Sequence, residues 1–390
     1  MLRVFEDDAY ADRAFRSVAE RLEPRERALA QRLAYGTVQR IRTLDHAIGT
    51  LGRRPVRKLD PPVRAALRLG AYQLAYAEGI PVHAAVNETV ELVRSARLER
   101  AVAFTNAVMR RLSTGIRPLI DALPEGALKH SYPDWVEDVW TRDLGHEETI
   151  ALMRAQNEPL ETVVRRIRGE PPGEPTDLPG AYRVERVDED AVAAGRIWPQ
   201  SRGSQLAGLA VAARAGERTL DLCAAPGGKA TQLEGDVVAV EINEARAREL
   251  EANVRMLGAS NVRVVHADAL ALPPDLTGFD HVLVDAPCSG LGVLAARPDL
   301  RWRARPLPEL QLELLRAAAE RVESGGTIVY SVCTINADEN EAIVDASGLE
   351  VEPLADEWPQ FVHPRRSEFL LTLPHVHRTS GFFIARLRVT

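Results

Sequence analysis

Two cysteines in this 390-residue chain stand where a nucleophile is useful. One lies in Val284-Asp285-Ala286-Pro287-Cys288-Ser289-Gly290, the other in Tyr330-Ser331-Val332-Cys333-Thr334. Each follows a short apolar run of the kind that forms a buried strand. A thiol at a strand end, next to polar residues, is open to a substrate, and its thiolate is a covalent nucleophile. Cys223 reads instead as a small buried apolar residue. An odd number of cysteines in a long chain is no disulfide framework, and their spacing lacks the pairs of a zinc site, so no metal is expected.

A second constellation precedes them. Asp221 to Lys229 reads DLCAAPGGK, in which Gly227 and Gly228 let bare backbone come close to a ligand before a helix starts. Such turns are common, and this one alone is a weak cofactor signal. Glu241 ends the next apolar run, where a carboxylate can accept hydrogen bonds from ribose hydroxyls, and Asp268 follows the third, where it can receive an adenine amine. Either acid alone reads equally well as a helix cap. The set is more telling, because all three features follow the carboxyl ends of neighbouring strands, where doubly wound folds bind ligands.

The elements that must position these residues are legible as alternation. Apolar runs at Thr219–Ala225, Val237–Val240, Val262–Val265, His281–Ala286 and Thr327–Val332 alternate with helix-like stretches such as Ala245–Leu257 and Leu307–Val322. That pattern predicts a parallel doubly wound sheet. The first part of the chain reads as helices alone. Leu29, Leu33, Ile41, Leu44 and Ile48 share one helical stripe, Pro61 and Pro62 start a helix over Val63–Ala75, another begins near Val82, and Arg110 and Arg111 end a fourth. Between the two parts, Ser131 to Trp135 opens a short helix and the Pro- and Gly-rich stretch Glu170–Gly180 reads as a loop or linker. The expected division is 1–125, 126–195 and 196–390.

Charge is segregated along the same boundaries. Residues 1–125 hold 21 Lys and Arg against 15 Asp and Glu, a net +6, whereas the remainder holds 28 against 41, a net −13. A basic helical module beside an acidic body suits phosphate contacts by the first and small-molecule chemistry in the second, although solvated helix faces could produce the same split. No run of eighteen apolar residues occurs, and Glu6, Asp7 and Asp8 stand where a signal peptide would be basic, so a cytoplasmic protein without a membrane partner is expected.

With these residues in place, the sequence resembles the Sun (RsmB-type) branch of the RNA cytosine-C5 methyltransferases over nearly its whole length. DLCAAPGGK is similar to the family's cofactor loop, VDAPCSGLG (Val284–Gly292) to its first cysteine motif and YSVCTINADENE (Tyr330–Glu341) to its catalytic motif. HRTSGFFIARL (His377–Leu387) resembles its terminal antiparallel strand pair. AVNETVELVR (Ala85–Arg94) and FTNAVMRRL (Phe104–Leu112) resemble NusB-type RNA-binding domains, and SYPDWVEDVW with RAQNEP a small RNA-contacting subdomain. The resemblance implies an all-α NusB-like domain followed by an α/β class I (Rossmann-like) methyltransferase domain, with a mostly parallel sheet and an antiparallel final strand.

It also implies a chemistry. Carbon-5 of cytosine is too weak a nucleophile to take a methyl group from a sulfonium; a thiolate added at carbon-6 makes an enamine that can, and a carboxyl at ring nitrogen-3 stabilises the developing charge. The resemblance gives Cys333 the nucleophile's role, Cys288 that of aiding release and Asp285 that of touching the base. S-adenosylmethionine would be held by Cys223, Ala224, Ala225, Pro226, Gly227, Gly228, Lys229, Glu241, Asp268 and Asp285. The implied substrate is 16S ribosomal RNA, acted on by a monomer. The alternatives are a NusB-like adaptor without catalysis and an enzyme acting on transfer RNA. The chain departs from the family pattern at Val332 (usually Thr), Ser380 and Ser201 (usually Asp), and only seven residues separate Lys229 from Val237, so the helix after the cofactor loop is cut to about two turns or fewer.

Overall fold

A computed structural model describes every residue except Met1, Asp8 and Glu20; the acidic Asp8 noted above therefore lies outside the described residues. The chain divides into two compact units, residues 1–157 with 294–303, and residues 158–293 with 304–390. The stretch 126–195, expected as one subdomain, is thus shared between them. Its helices Asp134–Leu144 and His146–Ala155 belong to the first unit, and the part after residue 157 belongs to the second.

The first unit is helical, as the apolar stripes require. Helices Pro61–Ala75, Val82–Ser95 and Glu99–Asp121 surround a core that includes Leu67, Ala71, Val93, Val108, Met109 and Leu112. Two expectations need correction. The stripe from Leu29 to Ile48 is not one helix, because the chain turns at Arg40 between Pro24–Gln39 and Ile41–Gly52. Nor do Arg110 and Arg111 end a helix: the apolar spacing continues through the buried Leu112, Ile116 and Ile120, and the helix runs on to Asp121. The segment Leu294–Arg303 completes this unit. Its Arg301 is 1% exposed, lies 3.9 Å from the Tyr132 ring centre and donates to the Gln39 carbonyl at 3.2 Å, the Gln156 carbonyl at 2.9 Å and Asn157 Oδ1 at 2.8 Å. Burial pulls this guanidinium down to about 10.

The second unit holds two sheets. Strands β1 (Val163–Arg166), β2 (Glu174–Pro175), β3 (Ala181–Arg183) and β4 (Ile197–Pro199) form a small antiparallel sheet in the order β2-β3-β1-β4. The Pro- and Gly-rich stretch expected as a loop therefore contributes one two-residue strand. The larger sheet comprises β5 (Arg218–Asp221), β6 (Asp236–Glu241), β7 (Val262–His266), β8 (Phe279–Asp285), β9 (Val322–Val332), β10 (Glu350–Glu352), β11 (Leu370–Thr372) and β12 (Phe382–Arg388), in the order β10-β12-β9-β8-β5-β6-β7, with β11 also pairing β12. Strands β5 to β9 are parallel and β12 is antiparallel to β9, as expected. The parallel strands are apolar because both faces are covered; Leu206, Ala239, Leu250, Leu283, Val329 and Ile384 share one core.

Two departures from the family pattern now have physical accounts. Ser201 caps the helix Arg202–Leu209 by accepting the Ser204 amide, a task within reach of a hydroxyl as well as a carboxylate. Val332 is fully buried in β9, where a methyl in place of a hydroxyl leaves no polar group to satisfy. The shortening after the cofactor loop is real as well: beyond Lys229 only the single 3-10 turn Ala230–Gln232 remains before β6.

Candidate active site

Strand order alone brings the site together. Strands β5, β6, β7, β8 and β9 are parallel neighbours, so Asp221, Glu241, Asp268, Asp285 and Cys333 all leave the sheet at its carboxyl edge. In the register of β8 and β9, Asp285 faces Ser331, whose hydroxyl donates to Asp285 Oδ1 at 2.8 Å. Just beyond, the Gly292 amide donates to the Cys333 carbonyl at 3.0 Å. Cys288 Sγ and Cys333 Sγ then lie 3.5 Å apart.

Electrostatics make the two sulfurs unequal. The hydrogen bond with Cys288 holds Cys333 below the ordinary thiol value against its burial and the Asp285 charge, with help from Lys229. The same contact, then burial, pushes Cys288 well up. Of the two, Cys333 is the sulfur whose thiolate this contact favours. Burial pushes the thiol of the part-buried Cys223 up as well.

Beside the thiols, Lys229 Nζ lies 2.6 Å from Asp285 Oδ2 and 5.1 Å from the Phe382 ring centre. Burial by itself would lower this lysine; the Asp285 charge and hydrogen bond outweigh it and the net direction is upward. Asp221 is a residue that sequence reasoning passed over as the mere start of a motif. Burial, reinforced by Asp285, pushes it up to about 7, and its Oδ2 is buried without a hydrogen-bond partner. Its protonated form contributes stability that is lost as pH rises through about 7. The available signal was an acid at the end of a strand that is buried beyond its first residue.

The loop between β5 and β6 is pinned from outside through its carbonyls. Arg246 Nη2 reaches the Ala225 oxygen at 2.8 Å, Asn253 Nδ2 the Pro226 oxygen at 2.9 Å and Arg165 Nη2 the Gly228 oxygen at 3.2 Å. Gly227 has φ of +106°, in the region that favours glycine. A Cβ on Gly228 would sit 2.9 Å from Trp198 Nε1. That second glycine thus admits a tryptophan ring to the loop, and its Cβ direction is not the open ligand space the sequence suggested. Gly228→Val should still weaken S-adenosylmethionine binding about tenfold or more by lifting the loop off Trp198, since overpacking a rigid ring moves the backbone. Titration calorimetry on the folded variant checks this, and wild-type affinity would refute it.

Glu241 is buried; its Oε1 accepts the Asn243 amide at 2.9 Å and its Oε2 lies 3.5 Å from Arg246. Asp268 caps the turn Ala269–Ala271 through the Leu270 amide at 2.9 Å. The cap reading is therefore correct for one oxygen of Asp268. Ile242, 62% exposed, directly follows Glu241, and Leu270, 41% exposed, lies two residues after Asp268; the sequence reading singled out neither.

Comparisons with known proteins point the same way. A model of the 16S rRNA methyltransferase RsmB/F family matches residues 209–388, and one of the NusB family matches residues 2–114. The probable ribosomal RNA small subunit methyltransferase B of Synechocystis sp. is 32% identical over 98% of this chain and 96% of its own length. The chain belongs to the ribosomal RNA small subunit methyltransferase B family. A second relative, ribosomal RNA small subunit methyltransferase B of Thermus thermophilus, is 37% identical over 83% of this chain and 78% of its own. The crystal structure of PH0851 matches 94% of this chain and 91% of its own with a TM-score of 0.79 at 23% identity, a likeness of fold. The family consists of RNA methyltransferases that use S-adenosylmethionine. The crevice fits that cofactor. Buried Asp221 Oδ2 lacks a partner and suits an ammonium, Glu241 suits hydroxyls, and Asp268 with Ile242 and Leu270 suits a purine.

Proposed function

We propose that this chain methylates carbon-5 of cytosine in 16S ribosomal RNA through a covalent bond from Cys333 to carbon-6. The observation that carries the reading is the thiol pair at 3.5 Å beside the Lys229–Asp285 pair at 2.6 Å. A non-catalytic adaptor would have no use for two free thiols in contact beside a lysine–aspartate pair. S-adenosylmethionine supplies an electrophilic methyl group on positively charged sulfur.

The chain's own residues do the rest. The Cys223–Lys229 loop, Glu241, Asp268 and Asp221 hold the cofactor, and Asp285, fixed by Lys229 and Ser331, meets the base at nitrogen-3. Cys333 thiolate adds to carbon-6, and the electron pair released to carbon-5 takes the methyl group as the sulfonium–methyl bond breaks. The proton on carbon-5 must then leave, after which the carbon–sulfur bond breaks and returns the Cys333 thiolate. Once Cys333 is alkylated, the chief cause that holds Cys288 up is gone, so Cys288 can give its own proton to solvent and, as a thiolate, take the proton from carbon-5.

The basic helical unit docks RNA in this reading, and the enzyme works as a cytoplasmic monomer without a metal ion. Among the described residues no helix is long and apolar enough to cross a membrane. Arg110 and Arg111 are exposed on the helix Glu99–Asp121. Replacing both with Ala should weaken binding to ribosomal RNA across sequences and flatten the salt dependence of log Kd by roughly 0.7 for each phosphate that the two guanidinium groups neutralise. Filter binding across a salt series measures this; an unchanged slope and affinity would remove the docking role from that face. The reaction as a whole is tested by bisulfite sequencing of 16S ribosomal RNA from a deletion strain, which should lose one protected cytosine that the wild-type gene restores.

A further inference from the structure

The geometry points to Glu339 as the positioning residue that holds the two thiols against each other; the inference rests on the cysteine-pair reading above. Glu339 lies six residues after Cys333, is 0% exposed and has neutral hydrogen-bond partners. Its Oε1 accepts the Ser289 amide at 2.9 Å, Gln311 Nε2 at 2.9 Å and the Leu307 amide at 3.2 Å. Its Oε2 accepts Asn336 Nδ2 at 3.2 Å and the Ser289 hydroxyl. Burying a carboxylate without a cation is costly, and only a full set of donors makes it tolerable.

Those donors are the neighbours of both cysteines. Ser289 follows Cys288; Gln311, bound to Glu339, also donates to the Pro287 carbonyl at 2.8 Å, so the residues on each side of Cys288 are tied to one carboxylate. Ser289 Oγ spends its single proton on Glu339 and accepts the proton of Thr334 Oγ, 2.8 Å away, and Thr334 follows Cys333. Through two hydrogen bonds, then, Glu339 fixes the backbone beside each sulfur. It does not touch either one. A neutral amide could satisfy the three N–H groups at Oε1, but would face Ser289 and Asn336 with donors and reverse the polarity of the link to Thr334.

The test uses Glu339→Gln and Ser289→Ala in the full chain with S-adenosylmethionine and a 5-fluorocytosine RNA. Cofactor affinity should be unchanged, since Glu339 lies outside the cofactor crevice. The rate of covalent adduct formation should fall roughly tenfold to a hundredfold, as expected for a misplaced nucleophile. The pH midpoint for iodoacetamide alkylation of Cys333 should move upward in both variants, less in Ser289→Ala, because a looser pair weakens the bond from Cys288. Lys229 and Asp285, which face Cys333, and Tyr330, which faces Cys288, are untouched in both; the Glu339 charge, which also holds Cys288 up, is lost only in Glu339→Gln, so Ser289→Ala reads the positioning effect with that charge in place. Wild-type alkylation midpoints and adduct rates in the two variants overturn the proposal, and Ser289→Ala decides it if Glu339→Gln does not fold. A wild-type chain that forms no adduct refutes the proposed reaction instead, and the alkylation midpoints then decide the role of Glu339 alone.

Discussion

Protein carrying Cys288→Ala is expected to accumulate as a covalent RNA complex, whereas Cys333→Ala should form none and should not methylate. The two sulfurs are 3.5 Å apart, so proximity to the base does not distinguish them; charge does. Cys333 is lowered and Cys288 raised by the same hydrogen bond. The attacking species is the thiolate, so the rate of adduct formation should rise with pH and level off once Cys333 is ionised. Cys288→Ala removes the hydrogen-bond partner that holds Cys333 low. Its levelling-off should therefore occur at higher pH than in the wild type, although the adduct, once formed, persists for want of a base. Denaturing gels with ordinary RNA and cofactor, run across a pH series, measure both effects. If Cys333→Ala were the trapped species and Cys288→Ala the inert one, the assignment would be reversed.

Lys229→Met should lower the turnover number by roughly a hundredfold, the effect of deleting one charged group aimed at a reacting centre. The lysine is buried between Asp285 and the Phe382 ring, and it is the cation that offsets Asp285 and Asp221. Without it two nearby carboxyl groups compete for a proton, and nothing aims Asp285 from the lysine's side. Cys333 is also deprived of a charge that favours its thiolate. The pH at which adduct formation levels off should thus move upward, as expected for Cys288→Ala, but here with no trapping. Lys229→Arg keeps the charge and should restore the pH midpoint more fully than the turnover number. Single-turnover rates with 5-fluorocytosine RNA at several pH values read both quantities; a methionine variant with wild-type values of each would remove Lys229 from the chemistry.

The strand ends that carry the candidate site were more legible than the helix boundaries. Strands β6 and β8 are buried over most of their length, so their central residues are apolar, and the first polar residue after each run marks the strand's end and the crevice. Glu241 and Asp285 end such runs, and Cys333 directly follows one; the roles given to them and to Cys288 came from the resemblance to the family's motifs. Helix boundaries carry no such mark here: the bend at Arg40 and the continuation past Arg111 depend on what packs against each face, which periodicity does not report. Glu339 and Asp221 escaped for a related reason. An acid in the sequence reads as solvated, and only the packed structure reveals that both are buried. Ile242 and Leu270 are the inverse case, apolar residues left in the open.

The path of the chain between the units has a consequence for how the protein can be divided. It crosses from one to the other three times, because Leu294–Arg303 leaves the methyltransferase unit to complete the helical one. A protease that cuts only between Asn157 and Glu158 would not release the helical piece, since Arg301 still grips Gln39, Gln156 and Asn157, and the Trp302 indole still donates to the Val38 carbonyl at 2.8 Å. The nicked halves would travel together as a complemented pair. Recombination faces the same constraint: a helical module exchanged by a single crossover arrives without the loop that fills its interior, so the two parts are inherited as one object even though each has its own core.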